Sequence, residues 1–367
     1  MKFDRRLLSN FDWFLLLICI NIACIGIINL YSASFDAKHL SATPIYLKQI
    51  VWMIIGIFLM ILAFTIDYRF FERFAYPLFT FSVILLILVI LFGKTISGSN
   101  RWIQLFGISI QPSEIVKITL IIALSKYFKN NRIYNLGIIR GLIYPILIIS
   151  LPITLILNQP DLGTSLILIL IFSSILLFNG IRMKTVLIIF FLLLASFPLF
   201  WHYIKDYQKM RILTFINPNL DPLGSGYHIT QSKIAIGSGI FWGKGFLKGT
   251  QNQLHFLPEQ HTDFIFSVLA EEWGFLGSII TLSLYLILIL WTLRITTHSK
   301  DNFATLLTFG IASMFFWHIF INIGMSIGII PVVGAPLPFM SYGGSSTVSF
   351  FIAIGLLINI STRRFLF

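Results

Sequence analysis

Apolar residues along this chain come in long continuous blocks, not in alternation with polar ones. Such blocks lie near 12–33, 47–66, 74–93, 112–128, 141–158, 163–180, 185–204, 263–293, 303–329 and 345–362. Crossing a hydrocarbon core takes about 20 mostly apolar residues in a helix. The pattern predicts an all-α integral membrane protein with about ten transmembrane helices. They form one polytopic domain over 1–367, with a large extracytoplasmic loop at 205–262 between spans seven and eight. Transmembrane β-strands would alternate in hydropathy, so a β-barrel is excluded. The start, Met1 to Arg6, is charged like a signal peptide. The apolar run from Trp13 to Leu30 is longer than the usual core of such a peptide, about 7–15 residues. An uncleaved first span is expected, and cleavage near Tyr31-Ser32-Ala33-Ser34 is the lesser alternative.

Composition agrees. Of 367 residues, 57% are hydrophobic and 11% charged, against roughly 25% charged in soluble domains. Lys and Arg set the orientation. With the N-terminus in the cytoplasm, the inner segments carry fifteen of them and the short outer loops four: Lys38, Lys48, Lys94 and Arg101. Both termini are therefore expected in the cytoplasm. The net charge of +12 is mostly this topology signal and calls for no nucleic acid. Cys19 and Cys24 point in different directions on a helix, and the seven histidines lack zinc-type spacing.

The unusual residues fall on the outer side. Asp263 follows Thr262, a plausible N-cap, and would sit in the first turn of a very apolar helix. Simple capping is one reading. The other is chemistry, since the positive helix end would keep the acid ionised as a base or cation ligand. Ser267, Ala270 and Gly274 share its face by helical periodicity, leaving room for a substrate or for a close helix. Glu271 and Glu272 lie further along, with structural and functional roles equally open.

Glu114 and Lys117, in Gln111-Pro112-Ser113-Glu114-Ile115-Val116-Lys117, are three apart and can pair on one face. Inside a membrane such a pair holds a site or orders a bundle. The loop from Lys205 to Thr262 carries a net +3 and includes Arg211, Lys233, Lys244 and Lys248 among many glycines. It could cradle phosphates, although P-loop spacing is absent and the charges could simply be solvated. Arg101 stands next to Trp102, a fork donor beside an aromatic. The Pro- and Gly-rich run from Pro331 to Ser346 predicts a re-entrant or tightly turned loop ending at a helix N-terminus, a natural anion site.

In order, Gly98-Ser99-Asn100-Arg101-Trp102, Gln111-Pro112-Ser113-Glu114 with Lys117, Gln159-Pro160-Asp161-Leu162-Gly163, Leu257 to Phe264, and Ser341-Tyr342-Gly343-Gly344-Ser345 resemble the SEDS family of shape, elongation, division and sporulation proteins. The runs Asp221 to Gly224, Lys233 to Gly239 and Pro331 to Pro338 resemble its rod-shape branch more than its division branch. Phe241-Trp242 and Trp273 are mild departures. The resemblance implies a peptidoglycan glycosyltransferase that polymerises lipid II at the outer face of the bacterial inner membrane during elongation. It implies an essential acid at Asp263, as base or metal ligand. Cavity support or substrate binding would come from Arg101, Glu114, Lys117, Lys233, Lys244, Glu259, His261, Ser341 and Gly343. A divalent cation, Mg2+ or Mn2+, is expected and no organic cofactor. The expected partners are a class B penicillin-binding protein and other membrane proteins of the elongation complex. A lipid II flippase or a non-catalytic scaffold are the competing readings.

Overall fold

The structure is a computed structural model, and it describes residues 10–35, 44–96, 99–105, 108–130, 138–181, 184, 185, 187, 191, 206–217, 220, 221, 224–254, 256, 257 and 259–364. The expected span at 185–204 lies almost wholly outside the described residues. So do Gly98, Pro222, Leu223 and Pro258 of the motifs above. The helices are α1 (Trp13–Ala33), α2 (Ile45–Thr65), α3 (Tyr68–Arg73), α4 (Ala75–Phe92), α5 (Pro112–Asn130), α6 (Ile138–Asn158), α7 (Leu162–Phe178), α8 (Asp206–Ile216), α9 (Ser225–Ser238), α10 (Thr250–Gln253), α11 (Ile265–Thr297), α12 (Asn302–Ile327) and α13 (Gly344–Arg363). Seven of these are long and apolar enough to cross a membrane, and α7 is a shorter apolar helix.

Aspartates begin several of these helices by accepting a free first-turn N–H. Asp12 accepts from Leu15 N at 3.2 Å, Asp161 from Thr164 N at 3.2 Å, and Asp301 from Ala304 N at 2.7 Å. α12 and α13 are buried along most of their length, whereas α2 and α4 turn Ile54, Phe58, Phe81 and Leu91 outward. α2 packs along α13, where Gly56 faces Phe351 and Gly355 faces the Met60 carbonyl. Small residues let membrane helices approach this closely. Phe315, Phe339, Phe350 and Phe351 interlock at the centre, with ring centroids 5.0–6.0 Å apart.

Three features differ from expectation. The segment between α4 and α5 forms a small antiparallel sheet of β1 (Lys94–Ile96), β2 (Ser99–Leu105) and β3 (Ile108–Ile110), in that order. β-branched Thr95, Ile96, Ile103, Ile108 and Ile110 favour it.

Second, α11 begins at Ile265, with Phe264 at its cap position and no side-chain cap. Thr262 and Asp263 lie in the preceding turn, where Asp263 N donates to the Glu259 carbonyl at 3.2 Å. Neither residue caps the helix, because Glu259 adopts a positive φ of 49° and winds its own tight turn first.

Third, α11 is broken at Gly274 (φ 65°, ψ −158°). The segment after α9 fills the break. Phe275 N donates to the Ile240 carbonyl at 2.9 Å and Leu276 N to that of Phe241 at 3.2 Å. In return, Lys244 N and Gly245 N donate to the Glu271 and Glu272 carbonyls, each at 3.0 Å. Backbone groups freed at membrane depth need such partners. Gly274→Ala is expected to lower the thermal unfolding midpoint in detergent. The positive φ alone costs about 1–3 kcal/mol, and the added β-carbon would strike Gly243 N. An unchanged midpoint would mean that the inserted loop yields.

Candidate functional site

Asp263 is held by its main chain. Asn322, on α12, donates from Nδ2 to the Asp263 carbonyl at 3.0 Å and to that of Ala335 at 2.7 Å. Ser341 Oγ donates to the Thr262 carbonyl at 2.6 Å while accepting from Leu337 N at 2.8 Å. Tyr342 N donates to the His261 carbonyl at 2.8 Å. The turn 261–263 is thus laced to the Pro- and Gly-rich loop, which is tightly folded as expected. That loop passes beside the carboxylate at Gly334 (φ 75°), where a β-carbon would lie 3.3 Å from Asp263 Oδ2.

The carboxylate itself is left unengaged. Among the described residues none donates a hydrogen bond to it, and Asp263 is only partly exposed. Desolvation by the surrounding protein pushes its pKa up to about 7; the Glu259 charge and, less strongly, Asp161 add to the rise, while Arg211 and Arg101 oppose it. The ionised cap expected from the sequence is replaced by an acid poised near neutrality. A general base works best with its pKa near the working pH.

The expected site residues separate into groups. Arg101 donates from Nε to the Gln159 carbonyl at 3.1 Å and from Nη2 to that of Pro160, and it meets Asp161 Oδ1 at 3.7 Å. It clamps the turn between α6 and α7. Asp161 also accepts from Thr164 Oγ1 at 2.8 Å and Gln111 Nε2 at 3.3 Å. Glu114 and Lys117 pair at 2.8 Å, both buried, and Lys117 Nζ lies 2.9 Å from His318 Nε2. His318 Nδ1 is 3.1 Å from the Pro336 carbonyl, so Nδ1 carries the proton and Nε2 accepts from the ammonium. The ion pair thereby supports the loop that overlies Asp263.

Gly343 N donates to Gln49 Oε1 at 3.2 Å and Gly344 packs on Trp52, so the start of α13 is occupied by protein. Glu259 stays beside Asp263 with its Oε2 accepting from Thr262 Oγ1 at 3.1 Å. Lys233 lies against Gly328 at the C-terminal end of α12. Lys244 pairs with Glu271 at 2.6 Å and donates to Thr250 Oγ1 at 2.7 Å. Glu271 Oε1 also accepts from Gln251 N at 3.1 Å, and Glu272 accepts from Ser32 Oγ. Glu271 latches the inserted loop to the broken helix, and Glu272 ties that helix to α1. Ser267 meets Ser232 at 2.7 Å, and the Ala270 carbonyl meets Gly239, so the small-residue face serves close packing.

Sequence reasoning missed Gln49, His318 and Asn322, polar side chains lying within apolar runs and fully buried. Their placement inside spans was the available signal. For a metal, no group of three or more His, Cys, Asp or Glu among the described residues could hold one. Asp263 with nearby Glu259 fits only an ion of the magnesium type, held by one or two carboxylates plus substrate phosphates.

The sequence profile of the cell cycle protein family, FtsW/RodA/SpoVE, matches residues 12–365. The chain belongs to this family, the SEDS proteins. Peptidoglycan glycosyltransferase MrdB of Escherichia coli (strain K12) is 40% identical over 322 residues, covering 86% of this chain and 85% of that protein. Peptidoglycan glycosyltransferase RodA of Treponema pallidum (strain Nichols) is 34% identical over 431 residues, covering 98% and 99%. A chain of a peptidoglycan synthase complex that coordinates polymerization and crosslinking superposes with a TM-score of 0.83 at 29% identity, covering 97% and 98%. The rod shape determining protein RodA of Thermus thermophilus does so at 0.72 and 28%, with the same coverage. The activity that goes with this kinship is peptidoglycan glycosyl transfer.

Proposed function

We propose that the protein polymerises lipid II into glycan strands at the outer face of the inner membrane during cell elongation, with Asp263 as the base. Ten spans with both termini cytoplasmic, the arrangement that hydropathy and the Lys and Arg distribution predict, would put Asp263 on that face. The observation that carries the reading is the carboxylate itself, pushed up to about 7 and free of described donors.

In the reaction, the acceptor sugar hydroxyl gives its proton to Asp263 as its oxygen attacks the donor's anomeric carbon. The bond from that carbon to the pyrophosphate oxygen breaks, and undecaprenyl pyrophosphate leaves with the electron pair. Pyrophosphate is already a good leaving group, so one carboxylate suffices where glycosidases use two. Arg101 is committed to the turn at 159–161, so holding the pyrophosphate falls to loop cations. Arg211 is the one whose charge acts most strongly on Asp263. Asp263 and Glu259 are the residues that would hold a divalent cation, and such an ion would supply charge stabilisation. A class B penicillin-binding protein fits as partner, in line with the synthase complex to which a similar chain belongs.

Reconstitution into vesicles with labelled lipid II and the partner tests this. A glycan ladder on a gel is the expected result. Lipid moved across the bilayer without polymer would make the protein a flippase, and neither outcome would make it a scaffold.

A further inference from the structure

At the end of the bundle opposite Asp263, a cavity of about 440 Å³ is lined by Arg69, Glu72, Arg73, Lys126, Lys129 and Asp301. Its place in the fold follows from two helices. α5 runs from Gln111, beside Asp161, to Lys126 and Lys129, and α12 runs from Asp301 to Asn322, beside Asp263. The third wall is α3, the short link between spans α2 and α4, so the cavity opens where the hydrocarbon ends.

Four cations face two acids, and both acids are already engaged. Glu72 pairs with Lys129 at 2.7 Å, while Asp301 accepts from Ala304 N at 2.7 Å and from Tyr68 Oη at 2.7 Å. Among the described residues neither Arg73 nor Lys126 forms an ion pair. Lys126 Nζ reaches the Arg73 carbonyl at 3.1 Å and lies 4.8 Å from the centre of the Tyr76 ring. A topology signal alone needs no convergence. Here basic side chains distant in sequence line one concavity. Phe70, Phe74 and Tyr76 stand exposed beside it, with the Phe70 and Phe74 rings 4.5 Å apart. A free anion would use the charge only, whereas a phospholipid would use the charge for its phosphate and the aromatic face for its glycerol and upper chains.

We propose that this cavity binds the phosphate of an anionic phospholipid headgroup from the cytoplasmic leaflet. Basic pockets between helices on that side suit such headgroups. The test is native mass spectrometry of the full chain in detergent, incubated with phosphatidylglycerol, cardiolipin or phosphatidylcholine. Wild type is expected to retain an anionic lipid in preference to phosphatidylcholine. R73Q/K126Q is expected to weaken that retention roughly tenfold or more, and R73K/K126R to keep it. Glycan polymerisation by R73Q/K126Q should match wild type, showing that it is folded, and Lys126→Gln alone serves if the pair does not purify. The proposal is overturned by equal retention of phosphatidylcholine or by full retention in the glutamine variants. Competition by inorganic phosphate as strong as by dihexanoyl phosphatidylglycerol would make it a free-anion site, and displacement of the lipid only by acidic peptide would make it a protein dock.

Discussion

Asp263→Asn is expected to abolish glycan polymerisation while raising thermal stability at pH 8. Loss of a general base costs about 10²–10⁴-fold in rate, enough to remove the ladder from a gel. The stability gain follows from the carboxyl's raised pKa. It sits at about 7 in the folded protein against an ordinary 3.8, so between those values the folded state holds a proton that the unfolded chain has released. Stability therefore falls as pH rises through that window, and at pH 8 the folded protein bears the full cost of the desolvated charge. Asparagine keeps the shape without the charge. The variant should melt above wild type at pH 8, with the gap closing towards pH 4, while wild-type polymerisation should rise with pH through about 7. Near-normal polymer from the variant would remove Asp263 from catalysis, and equal melting at pH 8 would show that the carboxyl is not desolvated.

The apolar helices and the isolated polar residues were legible because both depend on local composition. Hydropathy picks out α12 as one apolar run, and the acid next to α11 stands out by its isolation. What could not be read depends on backbone direction and on contacts between distant segments. The apolar pattern continues through Gly274, yet a positive φ there breaks α11, and nothing in hydropathy registers the sign of a dihedral. The loop glycines looked like a phosphate cradle. Gly239 and Gly243 instead let the loop backbone press against the Ala270 and Glu272 carbonyls, where a β-carbon would collide. Thr262 carried the right chemistry for a cap, but the turn made by Glu259 delays the helix by two residues. His318 and Asn322 were visible as polar residues in a span. Their partners, Lys117, Pro336, Asp263 and Ala335, are set only by the packing of α5, α11 and the loop after α12.

Lys117→Met is expected to cost about 3–5 kcal/mol of stability, because it leaves Glu114 as an uncompensated buried charge. Lys117 is fully buried and Glu114 is 3% exposed. Glu114 Oε2 also accepts from Ser349 at 3.2 Å, so the strain would reach α13 as well as His318 and the loop over Asp263. Adding Glu114→Gln removes the charge that the first change stranded. The double variant should therefore recover most of the lost stability, a coupling of about 1–3 kcal/mol in denaturation of the purified protein. Polymerisation should recover in part with it, since the Lys117 ammonium is enclosed by Glu114, His318 and the Phe350 ring, 5.8 Å away, with no surface left for a substrate. A double variant as stable as wild type but wholly inactive would contradict this. The ammonium would then have to meet lipid II directly, which requires α5 and α12 to part during turnover.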